Sequence, residues 1–365
     1  MEQLQQIKRK KKDRKPIYIL LAFLLLFIVF IYFITKPSLQ SKVINQIQAC
    51  SNVNDVKSLF ERYKFELLES DNNGNKIVAI EFQDAVRNKL NSFNLNDKEL
   101  EECLAWLPPS KASMNIIVIP DLSRRIIDSI NNPNQIENDL FVLNTIWHSF
   151  KDFSKLRQDT KDYLMVDVTD IDQAKGQFNK VADKLRFDLS LHKGKSNRLY
   201  FTEDKTKQFE SAVVEMYNSA KQKPLGADYL FYFKRYLVNR IKKSTLFESY
   251  VNKIIIITDG YLEAGHRTDT KLTPSLYKSV AIGNIKDVIT ISGLGIPKVS
   301  IDLSDTDVLV CEVNERRTGK TKDFEILKAY WEDWLTRLGA SKVSFIQREQ
   351  ANGITKTQIE AFLRN

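Results

Sequence analysis

The stretch KIIIITDG, residues 253–260, decides the fold. Four consecutive isoleucines leave no polar–apolar alternation, and β-branched side chains favour an extended chain. The run therefore reads as a strand buried on both faces, of the kind found in parallel sheets covered by helices. Working outward, residues 114–119 (MNIIVI), 163–168 (YLMVDV), 307–313 (DVLVCEV) and 343–346 (VSFI) read as further short apolar strands, and 198–202 as another. Helical patterns lie between them. Residues 135–156 carry Ile136, Leu140, Leu143, Ile146, Trp147 and Phe150 on one side, and 175–185, 205–222, 229–243 and 323–338 are also expected to be helical. Strands alternating with helices predict an α/β fold: a doubly wound, mostly parallel sheet with helices on both faces, over residues 111–350. A last helix is expected over 351–365.

The N-terminal part has a different character. Residues 17–35, IYILLAFLLLFIVFIYFIT, hold no charge and no helix breaker before Pro37. As a helix this run is about 28 Å long, close to the ~30 Å of a bilayer's hydrocarbon core. It exceeds the apolar region of a cleavable signal peptide and is followed by Lys36-Pro37, not by a small-residue cleavage site. A membrane-spanning helix is the expectation, with Tyr18 and Tyr32 near its ends. Lys8, Arg9, Lys10, Lys11, Lys12, Arg14 and Lys15 precede the span, in a basic tail over 1–16. That asymmetry keeps the N-terminus in the cytoplasm and places the rest of the chain in the periplasm or outside the cell. Residues 38–110 show a helical stripe broken by the turn cluster 71–75 and closed by Pro108-Pro109, which predicts a helical stalk or small subdomain.

The formal net charge of +9 arises largely in that tail, which holds seven basic and two acidic residues. The remainder is close to neutral and has no arginine stripe interleaved with aromatics, which argues against nucleic acid as a partner. Of the three cysteines, Cys311 falls in an apolar run and reads as a core residue, whereas Cys50 and Cys103 share one predicted segment and are the one pair placed to form a disulfide. With three histidines in the chain, His148, His192 and His266, neither a zinc centre nor a Ser-His-Asp grouping has a motif behind it. The Gly-Lys-Thr at 319–321 lacks the leading glycine of a phosphate loop, because Asn314 stands there, and reads as a basic turn. Gly293-Leu294-Gly295-Ile296 reads as a loop whose Leu294 and Ile296, if exposed, would suit a partner. Tyr330, Trp331 and Trp334 fit a packed core. The aromatics Tyr229, Phe231, Tyr232, Phe233 and Tyr236 exceed one buried face, so part of that helix is expected to meet another subunit or the stalk.

Ligands of open α/β sheets gather at the carboxyl ends of strands. The first strand runs into Asp121-Leu122-Ser123-Arg124-Arg125, and the isoleucine strand into Thr258-Asp259-Gly260. An Asp-x-Ser followed, at the right later strand, by Thr-Asp-Gly resembles the von Willebrand factor A (VWA) domain, over roughly residues 112–348. In that family Asp-x-Ser-x-Ser, a loop Thr and a distal Asp build a metal-ion-dependent adhesion site for Mg²⁺ or Mn²⁺, leaving a coordination position for a partner's carboxylate. By resemblance Asp121, Ser123 and Asp259 take the Asp, first Ser and distal Asp places. The second Ser is replaced by Arg125, and the Gly-Thr-Asp loop by Gly226-Ala227-Asp228, which loses the Thr hydroxyl. Arginine offers no lone pair and keeps its charge. The expectation is a degenerate, metal-free site in which Arg125 or Arg124 pairs with Asp259. An altered metal site on Asp121, Ser123 and Asp259 stays open, as does a surface where both arginines face solvent.

The resemblance implies a membrane-anchored adaptor or scaffold that binds protein partners in an envelope complex, without catalytic residues. Two alternatives remain: a metal-dependent hydrolase using Asp121 and Asp259, with Asp167, Asp170 and Glu312 as further acids, and a purely structural envelope protein.

Overall fold

The computed structural model describes residues 38–70, 76–104, 106–107, 112–157, 160–245, 248–262, 284–292, 295–316, 323–348 and 352–364. The basic tail and the apolar run 17–35 lie outside the described residues. Among the described residues, no helix is long and apolar enough to cross a membrane.

The isoleucine run lies at the centre of a six-stranded sheet. Its strands are β1 (Ser113–Pro120), β2 (Tyr163–Val166), β3 (Arg186–Asp188), β4 (Tyr250–Ile257), β5 (Thr306–Val313) and β6 (Lys342–Gln347). They lie in the order β3-β2-β1-β4-β5-β6, all parallel except β3, which runs antiparallel to β2. The chain thus steps outward from β1 to β3, then crosses back to lay β4 against the other side of β1. That reversal sets the carboxyl ends of β1 and β4 side by side, with Pro120 and Ile257 in register, where ligands of such sheets gather.

Seven helices are labelled on this sheet: α1 (Gln135–Leu156), α2 (Ile171–Lys175), α3 (Lys195–Gln222), α4 (Tyr229–Arg235), α5 (Ile285–Ser292), α6 (Asp323–Arg337) and α7 (Asn352–Arg364). The uniform apolarity of the strands is explained by two cores. Ile116, Val118, Ile255, Ile257, Leu309 and Cys311 point to one face, under α1, α3 and α7. Ile117, Ile119, Ile254, Ile256, Val308 and Val310 point to the other, under α4, α5 and α6. Successive residues alternate faces, and both faces are dry.

Several expectations are corrected here. Residues 198–202 are not a strand but lie in the first turns of α3. Arg198 and Thr202 face inward four residues apart, Thr202 Oγ1 donates to Arg198 O at 2.8 Å, and the Arg198 guanidinium lies 3.2 Å from buried Asp162. The edge strand beside β2 is β3, three residues long, too short to show a period of two. The helix expected over 229–243 ends at Arg235, followed by a single 3₁₀ turn over Leu237–Asn239. Tyr229, Tyr232 and Phe233 are buried there, and Phe231 and Tyr236 are half-buried. Tyr330, Trp331 and Trp334 are buried in the same core. Helix α7 is an integral layer: its Ile359, Phe362 and Leu363 join the core built by α1.

The described residues divide into two compact units, 38–67 with 85–106 and 68–84 with 107–364. The boundary expected at 110 is therefore interrupted by a hairpin, Leu68–Ser70 with Lys76–Val78, that belongs with the sheet unit. The first unit is helical. Ser38 caps the helix Leu39–Ala49 by accepting Ser41 N at 3.1 Å, and Phe60 meets Trp106 at 5.1 Å between ring centroids. Cys50 and Cys103, the one pair placed to bridge, are free, half-buried thiols; the Cys50 Sγ donates to Gln46 O at 3.4 Å. Cys311 is buried in β5, as its apolar run requires.

Candidate functional site

The ends of β1 and β4 gather residues that the sequence singles out. Asp121 N donates to Ile257 O at 2.8 Å, which carries the ladder one residue beyond β1 and fixes the Asp121 carboxylate at the strand ends. Its Oδ1 accepts Ser123 N at 2.9 Å and its Oδ2 accepts the Thr258 hydroxyl at 3.0 Å. Ser123 in turn caps the one-turn helix Arg124–Ile126, its Oγ accepting Arg125 N at 3.5 Å. The Asp-x-Ser motif thus builds its own tight turn.

Arg125 folds back into the interior. Its Nε donates to Asp121 O at 2.9 Å and its Nη2 to Ile257 O at 3.0 Å, so one guanidinium clasps the ends of both central strands. The same group forks onto Asp139 of α1, at 2.7 Å from Nη2 and 3.4 Å from Nη1. Asp139 also accepts Gln135 Nε2 at 2.7 Å and the Tyr217 hydroxyl of α3 at 2.9 Å. Both charges are fully buried. Desolvation works against the Arg125 cation, but Asp139 and then Asp121 hold its pKa above the ordinary value. Burial pushes the Asp139 carboxyl up, with Arg125 the main opposing influence.

Asp259 has a different cation. Arg316, just beyond β5, reaches its Oδ2 with Nε and Nη2, each at 3.0 Å, and stacks its guanidinium 4.3 Å from the Tyr261 ring centre. Asn132 Nδ2 adds a contact to the same oxygen at 3.3 Å, and Tyr261 N donates to Oδ1 at 3.3 Å. Burial raises the Asp259 carboxyl's pKa and Arg316 opposes it. Gly260 is required here: its φ is +93°, and a Cβ would meet Val313 Cγ1 at 3.1 Å.

The expected pairing is therefore corrected. Arg125 is paired with Asp139 and lies 3.5 Å from Asp121, Asp259 is held by Arg316, and Arg124 is exposed. Asp139 was legible in principle, as a carboxylate inside the apolar stripe of α1, three residues after Ile136 and four before Leu143; such a position needs a buried partner. Arg316, just beyond β5, carried no comparable signal. Asp228 serves as the N-cap of α4, accepting Phe231 N at 2.9 Å, while Ala227 offers no side-chain oxygen. Asp167, at the end of β2, accepts the Tyr232 hydroxyl at 3.1 Å and Arg240 Nε at 3.0 Å, and Asp170 caps α2. Ile296 is buried, so it presents nothing to a partner. Leu294, His266 and the 319–321 turn lie outside the described residues.

The oxygens of this donor set all accept hydrogen bonds from the chain itself. The Asp121 oxygens are taken by Ser123 N and Thr258, Ser123 Oγ by Arg125 N, and Asp259 Oδ2 by Arg316. Among the described residues, no group of three or more His, Cys, Asp or Glu side chains converges to hold a metal ion.

Beside exposed Arg124 the edge also presents two apolar side chains. After Arg125 the chain presents Ile127 and Ile130, 51% and 90% exposed. The tip is braced by Asp128, whose Oδ1 accepts Ile130 N at 3.2 Å and Asn131 N at 3.0 Å, and whose Oδ2 takes Asn131 Nδ2 at 2.7 Å. Those bonds, the Asn131 side chain first, hold the Asp128 carboxyl below its usual range. Asn314 Nδ2 donates to Asn131 O at 3.2 Å and ties the tip to the end of β5.

No protein-family model, curated protein or solved structure matches the chain.

Proposed function

We propose that this chain is a membrane-tethered protein-binding module: a VWA-like domain whose adhesion face, at the carboxyl edge of β1 and β4, works without a metal ion. Its N-terminal segment 17–35 anchors it in the bilayer with the tail cytoplasmic, so that the domain projects into the periplasm or outside the cell as an adaptor or scaffold.

One observation carries the reading. The buried carboxylates Asp139 and Asp259 are paired from within, by Arg125 and Arg316, while Ile127 and Ile130 are held out to solvent on a hydrogen-bonded loop. An apolar pair on a braced loop suits a protein contact, because the loop loses little further freedom on binding. The strand order adds support, since its reversal between β1 and β4 puts the Asp121 and Asp259 motifs beside the loop in the doubly wound manner. Fold likeness alone does not assign function, so the weight rests on the face. Two guanidinium groups where a cation would be expected make the metal dispensable.

The test is capture of partners from membranes solubilised in mild detergent, using the full chain and two variants, Ile130→Asp and Val214→Asp. Val214 is exposed on α3 and serves as the control. The expected result is a partner held by wild type and Val214→Asp, lost on Ile130→Asp, and indifferent to EDTA. A partner released by EDTA would overturn the metal-free reading, and full retention by Ile130→Asp would remove the face.

A further inference from the structure

The network around Asp139 contains one carboxylate that the site does not use. Glu312, in β5, is almost fully buried at a φ of +66°. It is the extra residue of a bulge: Cys311 is in register with Ile346 and Val313 with Gln347, leaving Glu312 between them. Its Oε2 is buried with no hydrogen-bond donor among the described residues. Its cation is Arg348, just beyond β6, whose Nε lies 3.7 Å from Oε2 and whose Nη2 donates to Pro133 O at 2.8 Å. Arg348 N is itself bonded to Val313 O at 2.9 Å. Arg348 therefore bridges the bulge in β5 to the base of the loop that carries Ile127 and Ile130.

We propose that Glu312 and Arg348 form a proton-sensitive latch that sets how firmly the loop between β1 and α1 is held against the sheet edge. The charged groups facing Glu312 are Asp139 of α1, Arg125 beyond β1 and Arg348 beyond β6; Tyr217 of α3 is bonded to Asp139, and the Cys311 thiol is adjacent in β5. Asp139 receives bonds from Arg125, Gln135 and Tyr217, so its ionised form is well satisfied. Among the described residues Glu312 has only the longer contact to Arg348, so it is the member that takes up a proton. Burial, with Asp139 adding to it and Arg348 and Arg125 opposing, pushes its carboxyl up to about 7. Above neutrality the carboxylate holds Arg348 in place over Pro133. Below it, Arg348 faces a neutral carboxyl, and its hold on Pro133 weakens.

The experiment is hydrogen–deuterium exchange on the full chain in detergent, from pH 5.5 to 8.5, with uptake over residues 126–134 corrected for intrinsic exchange. Wild type is expected to lose several-fold of its protection there as pH falls through about 7, while peptides from α3 hold theirs. Glu312→Gln should show low loop protection at every pH, and Arg348→Gln should match it. Wild-type loop protection that is flat across the range overturns the latch without any variant being needed. A midpoint near 7 that persists in folded Glu312→Gln overturns the assignment to Glu312. None of these readouts requires a partner, so the latch and the binding reading fail independently.

Discussion

At the residue scale, Arg125 and Glu312 illustrate two outcomes of burying a charge. Arg125 meets a carboxylate in forked geometry and two strand-end carbonyls, so removing it strands Asp139 in the core. Arg125→Ser, which writes the second serine back into the motif, is therefore expected to cost about 3–5 kcal/mol. Urea unfolding followed by tryptophan fluorescence checks this, and a loss below about 1 kcal/mol would contradict the buried pairing. Glu312 lacks such satisfaction. Its folded carboxyl, at about 7, lies above its ordinary 4.5, so the folded state binds a proton that the unfolded chain releases. The stabilising protonation is complete below about 4.5 and is lost as pH rises through 7. Glu312→Gln should accordingly be more stable than wild type at pH 8, by up to about 3 kcal/mol, with the advantage vanishing toward pH 4.5. Unfolding midpoints for both proteins across that window give the sign directly.

At the element scale, the strands were legible because both their faces are dry: a run such as 254–257 has nowhere to go but the middle of a covered sheet. The turns after them were legible as motifs, since Asp121, Ser123, Thr258 and Asp259 use their short side chains on neighbouring backbone and on one another. The partners were not legible. Asp139 lies 14 residues from Arg125, and Arg316 lies 57 from Asp259; such pairs are set by the sheet, not by local spacing. Residues 198–202 misled because a helix with inward Arg198 and Thr202 hides its period, whereas α7 was legible as a helix but not as part of the core it joins. Its core positions matter. Phe362, packed in the core with Lys253 Nζ 5.0 Å from its ring centre, should cost about 3–5 kcal/mol as Phe362→Ala. The exposed Ile354→Ala on the same helix should stay within about 0.5 kcal/mol.

At the scale of the whole molecule, the charge and apolar distribution make a topological prediction. Full-length protein should remain with membranes after an alkaline wash, and deletion of 17–35 should release it; wild-type protein found in the wash would remove the anchor. The central claim concerns the face that such an anchor would present. A photo-crosslinking amino acid placed at Ile130 in cells, with Val214 as the control position, tests it most directly. The account predicts a discrete protein adduct at 130 that is absent at 214 and unchanged when divalent cations are chelated. Adducts at 214 but none at 130, or an adduct at 130 that disappears on chelation, would contradict it.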